Sequence, residues 1–123
     1  MHEAGIAESI LKTALGALPR KGMRVTRIVV VAGALSGVEE GPLALWLEHM
    51  SRQTAAEGAK LDFRRTAAAL TCSKCDYRGE YDGSAPLDPL CPRCGQVVRL
   101  DVGPAGRGAP TDIYIESLEA DEP

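Results

Sequence analysis

The sequence predicts an α+β fold in which two helices pack a small three-stranded sheet and a four-cysteine lobe is inserted before the last strand. Three observations predict it. Apolar residues recur at helical spacing in two segments, and β-branched and apolar residues cluster in three others. All four cysteines lie between the second and third of these strand-like segments. A chain of 123 residues has room for one domain or two very small ones.

The two helices are predicted over residues 4–18 and 43–56. In the first, apolar residues recur at spacings of three and four until Pro19 stops the helix. The second begins beside Pro42, a residue suited to the first turn of a helix, and Gly58 is its predicted stop.

The first predicted strand covers residues 24–34, and its nearly continuous apolar run indicates burial on both faces. Leu61 and Phe63 indicate a second strand, which leads through the 67–70 stretch to the cysteines. A last short strand at residues 113–118 is expected to return and pair with the other two.

The four cysteines form one pattern, Cys72-Ser-Lys-Cys75, then fifteen residues, then Cys91-Pro-Arg-Cys94. Two such turns at this separation are typical of a zinc ribbon with four cysteine ligands. Two disulfides would need an oxidising compartment, and an iron–sulfur cluster is disfavoured by the paired spacing. We expect Zn²⁺ in a structural role, because four cysteines leave no open position for water.

This order predicts two domains. A discontinuous α/β domain takes residues 1–68 and 111–123, and a zinc-binding ribbon with a linker takes residues 69–110. The ribbon has few apolar residues to bury, so zinc binding, worth on the order of 10 kcal/mol, is expected to decide whether it folds.

The charge and the apolar runs limit the classes of partner. The formal net charge is −3, without the basic excess that nucleic-acid binding usually needs. The longest apolar run, residues 28–35, is too short to span a membrane, and no signal-peptide core is visible, so we expect a cytoplasmic protein. Lys74, Arg78 and Arg93 beside the cysteines keep open an alternative, a zinc ribbon that binds nucleic acid or a transcription complex.

The first residues, Met1-His2-Glu3, could bind a second kind of metal. The free amine, the His2 amide and the His2 imidazole can close adjacent chelate rings on one ion, and planar nitrogen ligation suits Ni²⁺ or Cu²⁺. Glu3, or a carboxylate from the 33–41 loop such as Glu39 or Glu40, could fill a fourth position. A lone histidine at position 2 is otherwise simply an exposed terminal residue, and the pair of Glu39 and Glu40 simply solvated charge.

No catalytic constellation is visible. His49 is predicted to be a surface histidine, the serines have no evident base partner, and no glycine-rich phosphate loop is present. The sequence therefore predicts a binding protein and not an enzyme.

The start Met1-His2-Glu3, the 33–39 segment Gly-Ala-Leu-Ser-Gly-Val-Glu and the two cysteine pairs together resemble the HypA/HybF nickel metallochaperones of hydrogenase maturation. The resemblance covers essentially the whole chain. It implies a nickel-binding α/β lobe with His2 as the main nickel ligand, supported by Met1 and Glu3, and it aligns Glu39 with a carboxylate that the family sometimes uses.

The same resemblance implies zinc on Cys72, Cys75, Cys91 and Cys94. It further implies delivery of Ni²⁺ to the large subunit of a [NiFe]-hydrogenase together with a HypB-type GTPase, and it leaves open a homodimer. Ala34 stands where the family usually has Glu.

Overall fold

The computed structural model of the chain describes residues 3–101 and 108–122, which contain two helices and six strands. The strands form two three-stranded sheets. The elements are α1 (Glu3–Gly16), β1 (Arg24–Gly33), α2 (Glu40–Ser51), β2 (Lys60–Thr66), β3 (Ala68–Cys72), β4 (Arg78–Tyr81), β5 (Val98–Leu100) and β6 (Ile113–Asp121). One sheet has the order β2-β1-β6 and the other the order β4-β3-β5.

The first sheet and the two helices are the predicted α+β core. α1 and α2 pack on each other, and each buries one stripe, whose members are three and four residues apart in α1 and four apart in α2. In β1, every residue from Ile28 to Gly33 is buried, which confirms the predicted burial on both faces. The buried stripes are Ala7, Ile10 and Ala14 in α1, and Leu43, Leu47 and Ser51 in α2.

Ion pairs connect the three strands of the first sheet. Arg27 in β1 pairs with Asp62 in β2 and, at 3.1 Å, with Glu119 in β6. Arg64 binds the same Asp62 carboxylate at 3.1 Å and Glu116 at 3.2 Å. Hydrogen bonds from Arg27 and then Arg64 hold the pKa of Asp62 below its usual range.

The second sheet carries the cysteines, with Cys72 at the end of β3 and the other three in the connections between its strands. β3 pairs antiparallel with β4, with Leu70 opposite Gly79, and with β5, with Leu70 opposite Leu100. The strands β4 and β5 are not among the predicted elements, because both are short and lie among turn-forming residues. The second predicted strand ran on through the 67–70 stretch, whereas the structure ends β2 at Thr66 and starts β3, in the other sheet, at Ala68.

The second helix is shorter at its end than predicted. It stops at Ser51 because Arg52 leaves the helical region with ψ 136° and Gln53 takes a positive φ of 62°. The alanines that extended the apolar pattern lie in the following turn. The carbonyl of Ala55 accepts a hydrogen bond of 2.8 Å from the N–H of Val25.

The described residues divide into two compact units. The first contains residues up to Val31, Val38–Arg64 and residues from Ile115, and the second contains Ala32–Gly37 and Arg65–Tyr114. The predicted bounds put 32–37, 65–68 and 111–114 in the first domain instead. Backbone hydrogen bonds between the 33–35 and 110–112 segments join 32–37 and 111–114 within the second unit, and 65–68 leads into β3 of the second sheet. Among the described residues, no helix has the length and apolar character needed to cross a membrane.

Candidate metal centres

The structure brings the four cysteine sulfurs together. All four Sγ atoms lie within 4.8 Å of one another, with 3.5 Å between Cys72 and Cys94 and 3.6 Å between Cys75 and Cys91. Four sulfurs at the usual Zn–S distance would stand about 3.8 Å apart in a regular tetrahedron. The donor set and its spacing therefore fit one zinc ion with four thiolate ligands.

The first Cys-x-x-Cys turn follows directly from β3, whose last residue is Cys72. The N–H of Lys74 points at the Cys72 sulfur, 3.4 Å away. The N–H of Cys72 donates to the carbonyl of Tyr77 at 3.1 Å, which closes the turn. The N–H to sulfur contact stabilises a thiolate, as a metal site needs.

The second turn repeats this geometry. The N–H of Arg93 lies 3.4 Å from the Cys91 sulfur, and the N–H of Cys91 donates to the carbonyl of Gln96 at 2.7 Å. Gly95 ends the turn with a φ of 78°, a left-handed conformation that favours glycine. The two turns thus present their sulfurs in the same way.

The thiols differ in acidity before any metal binds. Burial opposes ionisation of Cys91, but the N–H groups of Cys94 and Arg93 outweigh it and lower the pKa of Cys91 to about 7. A backbone hydrogen bond from Tyr77 favours the Cys75 thiolate, yet burial and the neighbouring thiols raise its pKa to about 12. The protons that remain on the cluster must leave when a metal binds, because thiolates are the ligands.

The pKa values of the remaining two thiols are shifted by the same kinds of contact. The N–H of Lys74 is the main reason that the pKa of Cys72 is lowered. The N–H of Gln96 favours the thiolate of Cys94, but its contact with the Cys72 sulfur and partial desolvation raise its pKa. Around the cluster, the basic side chains of Lys74, Arg78 and Arg93 are exposed, as expected for solvated residues.

The second candidate centre involves the start of both helices. Glu3 is the first residue of α1, and its Oε2 accepts a hydrogen bond of 3.3 Å from the backbone N–H of Glu39, 36 residues away. Glu39 is the N-cap residue of α2, and its own side chain makes no capping hydrogen bond. Its carboxylate is exposed. Two of the predicted nickel ligands are therefore neighbours in the structure.

The other predicted nickel ligands, Met1 and His2, lie outside the described residues. His49 is exposed near the end of α2, where its ring meets that of Trp46 edge-on at 6.3 Å, so it is a surface histidine as predicted. Glu40 is exposed in the first turn of α2.

One role at this centre was not predicted, namely that Glu3 accepts a hydrogen bond at the start of α2. The residue type at the N-cap could have indicated it. The residue before α2 is Glu39, and glutamate is not among the preferred N-cap residues Ser, Thr, Asp and Asn. The first N–H groups of a helix have no partner within it, so a side chain from elsewhere in the chain, here Glu3, can accept from one of them.

Comparisons with known proteins show which family the chain resembles over its length. The family described as "Hydrogenase/urease nickel incorporation, metallochaperone, hypA" matches residues 1–119. The hydrogenase maturation factor HypA of Dehalococcoides mccartyi strain 195 is 32% identical over 124 residues, covering 99% of this chain and 96% of the relative. HypA of Caldanaerobacter subterraneus is 32% identical over 123 residues, covering 98% of this chain and all of the relative.

Two solved structures share the fold. The solution structure of the Ni metallochaperone HypA from Helicobacter pylori matches with a TM-score of 0.55 and 18% identity, covering 97% of both chains. A second structure, described as the solution structure of HypA protein, matches with a TM-score of 0.56 and 19% identity, covering 97% of this chain and 95% of the other. These likenesses bear out the predicted fold class.

Proposed function

Because the chain belongs to the HypA family of nickel-incorporation metallochaperones for hydrogenase maturation, we propose that it binds Ni²⁺ at Met1, His2, Glu3 and Glu39. It then passes the ion on. One observation carries the proposal, the hydrogen bond of 3.3 Å from the N–H of Glu39 to the carboxylate of Glu3. Since His2 directly precedes Glu3, this contact supports a site in which the first residues and the loop carboxylate reach the same ion.

The donor chemistry fits a nickel cargo. In a protein that begins at Met1, the amine, the imidazole of His2 and backbone amides supply nitrogen ligands, which suit a square-planar or tetragonal divalent ion such as Ni²⁺. The exposed carboxylate of Glu39 adds an oxygen ligand that exchanges easily. A carrier has to release its ion, so a site built on the first residues of a chain and an exchangeable carboxylate suits this role better than an enclosed cage.

The four cysteines hold zinc in the same proposal. Cys72, Cys75, Cys91 and Cys94 fill all four positions of a tetrahedral ion, so the zinc supplies folding energy and has no position for a reactive water. This donor set supports a carrier that is not an enzyme. The partners that we propose are a HypB-type maturation GTPase and the large subunit of a [NiFe]-hydrogenase.

The proposal is tested by calorimetric titration of the untagged protein with Ni²⁺, with zinc content measured in parallel. We expect His2→Ala, and a chain with one residue added before Met1, to lose stoichiometric nickel binding while keeping one zinc. His49→Ala is the matched control, because His49 is the other histidine and lies exposed on α2. Unchanged nickel affinity in His2→Ala, or a loss of nickel in His49→Ala, would refute the site.

A further inference from the structure

The outer face of α2 carries two large apolar side chains that the first unit does not cover. Leu45 is 68% exposed and Trp46 43% exposed. Within the described part of the first unit, they are the large apolar residues that stand open to solvent. Pro42 and His49 are exposed on the same helix, at the spacing of three, four and seven residues that places side chains on one helix face. We call these four residues the outer stripe of α2.

The aromatic ring in this stripe is held in place by its neighbour. The rings of Trp46 and His49 meet nearly edge-on, with centroids 6.3 Å apart and planes at 80°. A side chain that is already ordered loses less conformational freedom when a partner covers it. Tryptophan is also enriched among the residues that contribute most to binding energy at protein interfaces. The stripe runs about 10 Å along the helix, or two turns, and offers an ordered anchor for a partner.

The charges along this helix are negative. α2 contains Glu40 and Glu48 and no lysine or arginine, and Glu39 directly precedes it. Glu48 lies one turn after Leu45, beside the outer stripe. Arg52 follows the helix, and its guanidinium stands 4.0 Å from the Glu48 carboxylate in an exposed pair that neutralises it only weakly. Three carboxylates against one guanidinium in residues 39–52 favour a partner with positive charge.

The kind of backbone that can cover the stripe follows from the stripe being on a helix. The backbone N–H and C=O groups of a helix interior bond within the helix, so its surface offers side chains alone. An extended chain laid on this surface would leave its own buried backbone groups unpaired, which is costly. A partner helix has its backbone groups already paired, and its side chains can pack between those of α2.

We propose that the outer stripe of α2 is a docking site for an amphipathic helix of another protein, with apolar residues that cover Leu45 and Trp46 and with lysines or arginines beside Glu48. The inference goes beyond the proposed function, because none of these three residues is a proposed nickel ligand. The site lies within the first unit alone.

The test uses Trp46 as its own reporter, since it is the single tryptophan of the chain. The probe is a designed helical peptide with leucines on one face and lysines along both edges of that face. The matched peptide has glutamates in place of the lysines. We expect the lysine peptide to shift the emission of Trp46 in the full-length protein to shorter wavelength, with an affinity that falls as salt is added. No shift with this peptide, or equal binding of both peptides, would overturn the proposal.

Two pairs of variants place the peptide on the stripe. Leu45→Ala should bind the lysine peptide about fivefold more weakly or worse, the loss typical of an interface anchor. Leu87→Ala is its control, because Leu87 is also exposed but lies in the second unit. Glu48→Gln should weaken binding and its salt dependence. Glu8→Gln is the matched control, since Glu8 forms an exposed pair with Lys12 four residues on, as Glu48 does with Arg52. Equal losses in a variant and its control would show diffuse attraction and overturn the proposal.

A second copy of this chain is the other occupant that the experiment distinguishes. The emission of Trp46 is followed without peptide as the protein concentration rises, and we expect it to stay unchanged. A shift to shorter wavelength at high concentration that Leu45→Ala abolishes would assign the stripe to self-association, which overturns the proposal. Circular dichroism checks that Leu45→Ala is folded, as expected for truncation of an exposed side chain.

Discussion

The carboxylate of Glu3 satisfies the backbone N–H of Glu39 across 3.3 Å. Glu3 begins α1, and Glu39 is the N-cap of α2, so one acidic side chain links the starts of both helices. The positive end of each helix dipole is stabilised by a nearby negative charge. Glu3 thus has a structural role in addition to the nickel-binding role that we propose for it.

Removal of the Glu3 carboxylate should destabilise the first unit modestly. We expect Glu3→Ala to lower the free energy of unfolding by about 1 kcal/mol, because the start of α2 loses an acceptor and a favourable charge. Glu3→Gln keeps an acceptor oxygen and should lose less. Chemical denaturation of the zinc-loaded protein without nickel measures both. A loss in Glu3→Gln as large as that in Glu3→Ala would mean that charge alone matters.

Neighbouring leucines of α2 should respond very differently to truncation. Leu43 is completely buried, whereas Leu45 is 68% exposed. We expect Leu43→Ala to lower the free energy of unfolding by about 2–5 kcal/mol, since it removes buried apolar surface and leaves a cavity. Leu45→Ala should change it by less than about 0.5 kcal/mol. Denaturant unfolding of the two variants checks the contrast, and similar losses would contradict the assigned burial.

Loss of zinc should unfold the second sheet and leave the first unit folded. We expect Cys91→Ser to lose zinc, and the N–H of Val98, which donates to Pro89 at 2.8 Å, to lose its protection from hydrogen exchange. The N–H of Val25, bonded to Ala55 in the first unit, should keep its protection. Ser73→Ala is the control, because Ser73 lies between two cysteines without belonging to the cluster. Retained protection at Val98 without zinc would contradict this.

The elements with strong periodicity were predictable from the sequence. The stripe of α1 and the continuous apolar run of β1 are buried in the structure, so the apolar pattern in the sequence reflects which residues face the core. The cysteine cluster was predictable for another reason. Its chemistry requires fixed residue types at fixed spacing, and the structure brings the four sulfurs within 4.8 Å of one another.

The features that could not be predicted from the sequence are those that depend on contacts between distant parts of the chain. The end of α2 depends on Gln53 taking a positive φ, which no apolar pattern encodes. The strand β5 has three residues and exists because it pairs with β3 beside the cysteines. The contact of Glu3 with Glu39 spans 36 residues, and only the packing of α1 against α2 creates it.

The ion pairs of the first sheet should make stability depend on pH through Asp62. Hydrogen bonds from Arg27 and Arg64 lower the pKa of Asp62 in the folded state. A depressed folded-state pKa stabilises the protein above the unfolded value, about 3.9, and this contribution is lost as the pH falls through the folded-state pKa. We therefore expect Asp62→Asn to be less stable than the unmodified protein near neutral pH, and the difference to shrink below about pH 4.

The measurement is the difference in unfolding free energy between the two proteins, determined by denaturant titration at a series of pH values. Acid also protonates the four cysteines that we propose to hold zinc, but this affects both proteins alike and cancels in the difference. Because Arg27 and Arg64 are substantially exposed, with side-chain exposures of 41% and 52%, high salt should reduce the neutral-pH difference. A difference that grows in acid would show that Asp62 stabilises the sheet in its protonated form, contrary to its pairing with Arg27.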